Sequence, residues 1–370
     1  MNRRNQKARR GRHAHKINQF CPICFVIPPH ILREVAKNGA SDIQEWAFQT
    51  LSLSARIRGQ RDVLGKVATA MMTAGVGQKR RTIYDAKNNE DPSDLPGTLV
   101  RGEGSPAGTD IAVNEAYDGA GATYDFFKQI YDRNSIDDRG LRLDSTVHFG
   151  YQYDNAFWNG NQMVYGDGDG QIFDRFTKCI DVIGHELTHG ITQYEAGLRY
   201  QGESGALNES MSDVFGSLVK QWTLKQTADK ADWLVGQGLL TPNIKGIALR
   251  SMKAPGTAYN DPILGKDPQP GHTKDLYKGN QDNGGVHINS GIPNRAFYLA
   301  ATAIGGYAWE KAGKIWYIAL RDRLRSTSNF SRAAYHTIAI AAELYGNDSN
   351  EHRAVKEAWK QVGVEPRAIF

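Results

Sequence analysis

The chain has 370 residues, 40% of them hydrophobic and 23% charged, with a formal net charge of +5. That composition excludes a mainly disordered chain. Three cysteines over such a length exclude a fold stapled by a disulfide framework.

The charge is unevenly spread. Residues 1–16, MNRRNQKARRGRHAHK, hold seven Lys/Arg and no acid, so the remaining body stands at −2. Such an arm is either a nucleic-acid or membrane contact or a solvated, disordered tail. It has no interleaved aromatic residues and no companion motif, so no nucleic-acid or membrane partner is expected. FCPICFVIPPHIL (20–32) is short, broken by prolines and lacks a small-residue cleavage signal, so it reads neither as a span nor as a secretory leader.

Helical patterning begins near Pro29. HILREVAKNG (30–39) puts Ile31, Leu32 and Val35 on one stripe. SDIQEWAFQTLSLSARIRGQRDVLG (41–65) opens on a Ser41 cap, with apolar Ile43, Trp46, Ala47 and Leu51. Residues 66–82 are small and weakly patterned, a linker or cleavage zone. IYDAKNNEDPSDLPG (83–97) is turn-rich, 112–133 reads as a helix, and 144–170 mixes aromatic and β-branched residues with Asn/Gly turns, the mark of strands. From Thr177 onward helical periodicity dominates. The expected architecture is α+β: a helical N-terminal segment (1–75), a strand-rich lobe (76–180) and a mostly helical lobe (181–370). The helix bearing His185 forms the floor between the lobes, where sites are common.

IDVIGHELTHGITQYEAG (180–197) carries that helix. Each helical residue advances about 100°, so His185 and His189 share a face and both imidazoles reach one ion. Glu186 lies at the edge of that face, offset from a ligand position but near enough to touch a metal-associated water. The pattern alone also fits a solvated helix face. Catalytic zinc takes a third protein ligand and keeps one position open. Glu209, in ESGALNESMSDVFGSL (203–218), is a candidate, and Asp213 on the same face could accept a hydrogen bond from a liganding imidazole. Taken alone, the two acids also fit an exposed amphipathic face.

GHELTHG, GALNESMSDVFG and DNGGVHINSGI (282–292), in this order and spacing, resemble the thermolysin family of zinc endopeptidases. The likeness runs from about Ile83 to Val364 and includes NAFWNG (155–160), MVYGDGDG (163–170), AGLRY (196–200) and LRSM (249–252). It implies a two-lobed fold with the metal site in the cleft. One catalytic Zn2+ would be held by His185, His189 and Glu209, and Glu186 would be the general base for a zinc-activated water. His287 and Tyr200 would stabilise the oxyanion, and Asp282 would orient His287 and favour its charged form. Asn155 and Ala156 match the edge segment that pairs with an extended peptide. Arg250 matches an arginine that binds a substrate carbonyl. Phe173, Phe176, Val182 and Leu249 match an apolar pocket, which implies cleavage of protein and peptide substrates before bulky hydrophobic residues.

The sequence also departs from the family. Asp181 matches one ligand of a paired calcium site, but Lys220 and Ile247 replace acids there, so Ca2+ is a doubtful cofactor. GDGDG (166–170) matches a turn. IPPHIL (27–32) resembles the Pro-Pro-x-x-Leu segment of the protealysin-like branch, with Pro28, Pro29 and Leu32 as its inhibitory motif. Residues 1–75 are then a short pro-segment lying in the cleft of a zymogen and removed by cleavage within 66–82. Cys21 and Cys24 invite two ideas, a thiolate capping the zinc or a Cys-x-x-Cys pair; Cys179 reads as a packed apolar residue. The expected enzyme is a monomer secreted by a non-classical route, with a cytoplasmic pool also open. The rival readings are a non-catalytic binding protein on the same scaffold, for which no catalytic position is broken, and a nucleic-acid binder acting through the arm.

Overall fold

The computed structural model describes residues 24–64 and 78–368, with the backbone alone for 58–64. The basic arm, Cys21 and most of the 66–82 stretch lie outside the described residues.

The described chain opens with a two-residue strand, β1 (Cys24–Phe25). Pro28 is extended (φ −63°, ψ 143°) and Pro29 starts α1 (Pro29–Asn38). A proline there costs no helical bond, because the first-turn N–H has no intrahelical acceptor. α1 buries Ile31, Leu32 and Val35 and packs on α2 (Ser41–Leu64). Leu53 and Ile57 of α2 join Phe25, Phe149, Tyr153, Phe157 and Val164 in one apolar cluster. Each fully buried side chain of this size contributes about 1.5–3 kcal/mol, so the hairpin is held by packing and not only by its chain connection.

Five further strands complete a six-stranded sheet: β2 (Arg81–Asp85), β3 (Thr98–Gly102), β4 (Leu143–Val147), β5 (Ala156–Trp158) and β6 (Met163–Tyr165). Their order is β1-β5-β6-β4-β2-β3. The β2–β4 and β4–β6 pairs are parallel and the others antiparallel. The stretch 83–97 reads as turn-rich, and the sequence reading placed neither β2 nor β3. β2 owes its strand form to pairing with β4, about sixty residues away in sequence. The start of β2 at Arg81 also takes the last two residues of the weakly patterned 66–82 stretch.

α3 (Ile111–Tyr131), capped by the Asp110 side chain on the Val113 N–H, packs on β2, β4 and α4 (Ile180–Tyr194). α4 is buried on all sides from Asp181 to Thr192, as is α5 (Gly202–Leu224) from Gly205 to Gln221. The two cross at glycines. A Cβ on Gly216 would meet Asp181 O at 2.4 Å and His185 N at 2.9 Å, and one on Gly184 would meet Gly216 Cα at 3.1 Å. Only hydrogen at both positions lets the backbones approach this closely. The rest is mostly helical: short strands β7 (Leu234–Val235) and β8 (Arg250–Ser251), then α6 (Asp282–Asn289), α7 (Gly291–Ile304), α8 (Ala312–Ile318), α9 (Phe330–Tyr345) and α10 (Asn350–Gln361). The fold is therefore α+β, with α4 between the sheet and the helical part, in contact with β5 on one side and α5 on the other.

Lys220 reaches inward from α5. Its ammonium lies 2.9 Å from Asp181 Oδ2, 3.0 Å from Asp232 Oδ1 and 2.7 Å from the Leu234 carbonyl. A side-chain cation thus sits among the oxygens that would otherwise attract a metal. Ile247 is 58% exposed and brings no oxygen to them. Replacing Lys220 with Met strands the buried Asp181 carboxylate. The expected loss is about 3–5 kcal/mol, read as a lower urea midpoint. A Lys220→Met variant as stable as the parent would show that the ammonium contributes nothing there.

Candidate active site

His185, His189 and Glu209 meet because α4 and α5 touch. His185 Nε2 is 3.0 Å from His189 Nε2 and 3.5 Å from Glu209 Oε2, and His189 Nε2 is 3.4 Å from Glu209 Oε1. All three are buried. The outer nitrogens fix the tautomer that each neutral ring adopts. His185 Nδ1 donates to Asp213 Oδ1 at 2.8 Å, and His189 Nδ1 donates to Asn208 Oδ1 at 2.8 Å. The Asn208 amide nitrogen gives its own hydrogen to Leu198 O, which fixes its orientation. With both Nδ1 atoms protonated, both Nε2 atoms present lone pairs to each other and to a carboxylate. Glu209 Oε2 is buried and has no hydrogen-bond partner among the described residues. No hydrogen is left to place between the two Nε2 atoms and Oε2, an arrangement that suits a cation. A tetrahedral zinc spaces its nitrogen and oxygen ligands roughly 3.3–3.6 Å apart; the two imidazole-to-carboxylate distances match that spacing, and the 3.0 Å Nε2–Nε2 distance needs only a slight opening to hold the ion. Burial also lowers the His189 pKa to about 4 despite Glu209, which keeps this imidazole neutral and able to ligate.

Glu186 lies next to this centre. The Trp158 backbone N–H donates to its Oε2 at 3.0 Å, while Oε1 is buried with no partner among the described residues. Burial, and then the nearby Glu209 charge, push the Glu186 carboxyl well above the ordinary range. That makes it a better base than a solvated carboxylate.

Asp282 and His287 sit on α6. Its first turn is left-handed: Asn283, Gly284 and Gly285 have φ of 51°, 80° and 78°. Asn and Gly tolerate that region best. The reversed turn brings Asp282 back onto His287, where its Oδ1 accepts from Nδ1–H at 2.6 Å and its Oδ2 from the backbone N–H at 2.8 Å. The other ring nitrogen, Nε2, donates to the Phe25 carbonyl at 3.0 Å, so His287 donates from both nitrogens, as an imidazolium does. Burial works against that charge, but Asp282 and then Glu209 outweigh it and raise the pKa to about 9. The Tyr200 hydroxyl lies 3.0 Å from His287 Nε2 and donates to Glu209 Oε1.

The N-terminal strand lies in the cleft beside these groups. β1 pairs antiparallel with β5, Cys24 opposite Trp158 and Phe25 opposite Phe157. The Val26 N–H donates to Ala156 O at 3.1 Å. The Ile27 N–H donates to Asn155 Oδ1 at 2.9 Å, and Asn155 Nδ2 donates to Ile27 O at 3.4 Å. Arg250 Nη1 donates to Val26 O at 3.2 Å. The other guanidinium contacts run from Nε and Nη2 to Asp213, at 2.9 and 2.8 Å. Phe173, Phe176, Val182 and Leu249 are buried in the same apolar core as Val26. Pro28 is buried, Pro29 partly so, and Leu32 is 1% exposed in α1. The polar contacts to the cleft thus come from Phe25–Ile27, just ahead of the Pro-Pro-x-x-Leu segment. Sequence reading did not single out Phe25 and Val26, because a strand that binds by backbone leaves no residue signature. It also missed Asn208, the Trp158 N–H, and Asn294, whose amide donates to Asp213 Oδ2 at 2.8 Å.

Residues 69–193 match the catalytic domain of thermolysin metallopeptidases, and 196–364 match their alpha-helical domain. An extracellular metalloprotease of Pectobacterium carotovorum is 53% identical over 354 residues, covering 94% of this chain and 99% of that one. Protease PrtS of a Photorhabdus species is 49% identical, covering 92% of each. The thermostable neutral protease NprT of Geobacillus stearothermophilus is 46% identical over 76% of this chain, which spans half of its length. Among solved structures, the precursor of protealysin, a metalloproteinase from Serratia proteamaculans, superposes with a TM-score of 0.84 at 54% identity, covering 92% of this chain and 99% of that one. Fold, centre and relatives together define a zinc metalloendopeptidase. The chain belongs to the thermolysin family, in its protealysin-like branch. No helix among the described residues is long and apolar enough to cross a membrane.

The Asp282–His287 pair has a consequence for stability. A histidine whose folded pKa is raised from 6.5 to about 9 contributes stability in full below pH 6.5 and loses it as pH rises through about 9. The shift corresponds to about 3 kcal/mol. An Asp282→Asn variant is expected to be several degrees less stable than the parent below pH 6.5 and to close that gap above pH 9. Thermal midpoints measured across this range that run parallel for the two proteins would refute the linkage.

Proposed function

We propose that His185, His189 and Glu209 hold the catalytic zinc and that Glu186 is the general base in hydrolysis of peptide bonds on the amino side of bulky hydrophobic residues. The observation that carries this reading is the buried convergence of two imidazole lone pairs and a carboxylate at 3.0–3.5 Å, with both outer nitrogens tied to acceptors. Zinc, when bound, supplies Lewis acidity toward the scissile carbonyl and toward attacking water.

The chain's own groups do the rest. Glu186, held through Oε2 by the Trp158 N–H, offers its unpartnered Oε1 to the water proton and passes that proton to the departing nitrogen. The His287 imidazolium, kept charged by Asp282, donates to the developing oxyanion, and the Tyr200 hydroxyl is the second donor. An extended substrate adds to the sheet along β5, using Ala156 O and the Asn155 amide, while Arg250 donates to a substrate carbonyl. Phe173, Phe176, Val182 and Leu249 form the wall for the side chain after the scissile bond. Asp213 holds both His185 and Arg250 in place.

Phe25–Ile27 make these same backbone contacts, which supports residues 1–75 as an inhibitory pro-segment of a zymogen, separated by cleavage within 66–82. The lobes at 76–180 and 181–370 then form the mature, monomeric enzyme, which carries no structural calcium near Lys220. One relative named an extracellular metalloprotease supports export, for which a non-classical route is our proposal.

Glu186→Gln should bind zinc as the parent does and hydrolyse casein about 10²–10⁴-fold more slowly. Parent-like activity in this variant would remove Glu186 from the mechanism. An inactive but zinc-loaded parent, freed of its pro-segment, would favour a binding protein on this scaffold. In a peptide series, changing Leu to Asp just after the scissile bond should lower kcat/KM by at least about tenfold, since a charge buried unpaired costs more than 1.4 kcal/mol. Indifference at that position would overturn the pocket assignment.

A further inference from the structure

The roles assigned so far do not use Cys24. Its thiol is reduced, and the residue is 1% exposed, packed with Tyr200 and Val286. Its sulfur and the ligand atoms of His189 and Glu209 all lie within 4.8 Å of one another. Two observations point to a ligand between them. Glu209 Oε2 is buried and has no hydrogen-bond partner among the described residues, only His185 Nε2 at 3.5 Å. The backbone around Cys24 is also pinned: the residue pairs with Trp158 in the sheet, Phe25 O accepts from His287, and Val26 O accepts from Arg250. The sulfur is therefore delivered to the metal centre by a rigid strand. Zinc with three protein ligands keeps a fourth position, and thiolate is among its strongest ligands.

We propose that the Cys24 thiolate takes the fourth zinc position in the zymogen, so that the pro-segment closes the site by coordination as well as by backbone pairing. This deepens the regulation of the same site and rests on His185, His189 and Glu209 being the zinc ligands. The thiol gives its proton to solvent, the sulfur lone pair forms the bond to the cation, and no electrons are transferred. Alkylation or oxidation of the sulfur removes the ligand, so a thiol-directed reagent should speed maturation.

The test uses the full chain carrying Glu186→Gln, which keeps the pro-segment attached, loaded with Co2+ in place of zinc. The expected near-ultraviolet spectrum shows a thiolate-to-cobalt charge-transfer band. The band should persist in Cys21→Ser and vanish in Cys24→Ser and Cys24→Ala, while visible d–d bands show cobalt still bound. Bound cobalt without the band, or a band that survives Cys24→Ser, overturns the proposal. Unchanged cobalt binding in His185→Ala instead overturns the ligand assignment on which it rests. If the Cys24 variants do not fold, zinc-edge X-ray absorption of the parent decides. One sulfur at about 2.3 Å supports the proposal, and a shell of nitrogen and oxygen alone refutes it.

Discussion

The contact between α4 and α5 is the constraint from which the site follows. Gly184 and Gly216 let the two backbones approach until a single methyl group would collide with main-chain atoms. At that spacing His185, one residue past Gly184, and Glu209, two turns before Gly216, put their polar atoms 3.5 Å apart. His189 follows one turn on along α4. Lone pairs held so close repel one another, and burial removes the water that would screen them. Packing of the surrounding apolar core holds the arrangement, and a bound cation makes it favourable. With His185, His189 and Glu209 as the proposed ligands, metal binding and folding would be linked.

Asp213 extends that linkage to the substrate side. It accepts from His185, from two nitrogens of Arg250 and from Asn294, all buried. Burial works to protonate it, but Arg250 and His185 hold its pKa below the usual carboxylate range. The remaining Arg250 nitrogen turns toward the cleft and meets the Val26 carbonyl. One carboxylate therefore orients a proposed metal ligand and the proposed peptide-binding arginine together. A change at Asp213 would disturb both, so its effects on metal affinity and on substrate binding are not separable by that residue alone.

What the sequence revealed follows from how local each signal is. His185, Glu186 and His189 are one turn of one helix, and their spacing alone announces their geometry. Glu209 and Asp213 share the same logic on α5. Asp282 and His287 were legible only through the family resemblance of DNGGVHINSGI; the left-handed turn at Asn283–Gly285 that folds one onto the other is a feature of the structure. β2 and β3 were hidden, since their pairing partners are distant and their own stretch is rich in turn residues. The cleft contacts of Phe25–Ile27 were hidden for a different reason: main-chain N–H and C=O groups are the same in every residue, so a strand that binds through them leaves no trace in composition. The Cys24 sulfur was visible as a cysteine, but its approach to the metal site depends on that same strand register.

Backbone recognition also explains how, in the proposed zymogen, one cleft would serve two occupants. β5 and Arg250 read main-chain atoms, so a pro-segment strand and a substrate strand compete for the same donors and acceptors. The pro-segment has the advantage while it is part of the chain. Its covalent connection gives it an effective concentration that reaches the millimolar range for short linkers, and α1 and α2 add apolar burial that a short peptide cannot match. Meanwhile the Tyr200 hydroxyl is spent on Glu209 and His287 on Phe25, so two proposed oxyanion donors are engaged by the chain itself. Cleavage between the hairpin and β2 leaves every contact in place but turns an intramolecular equilibrium into a bimolecular one. Dilution, and proteolysis of the released segment, then favour the open cleft. In the proposed zymogen, cutting a covalent link would be enough to switch the enzyme on without any redesign of the site itself.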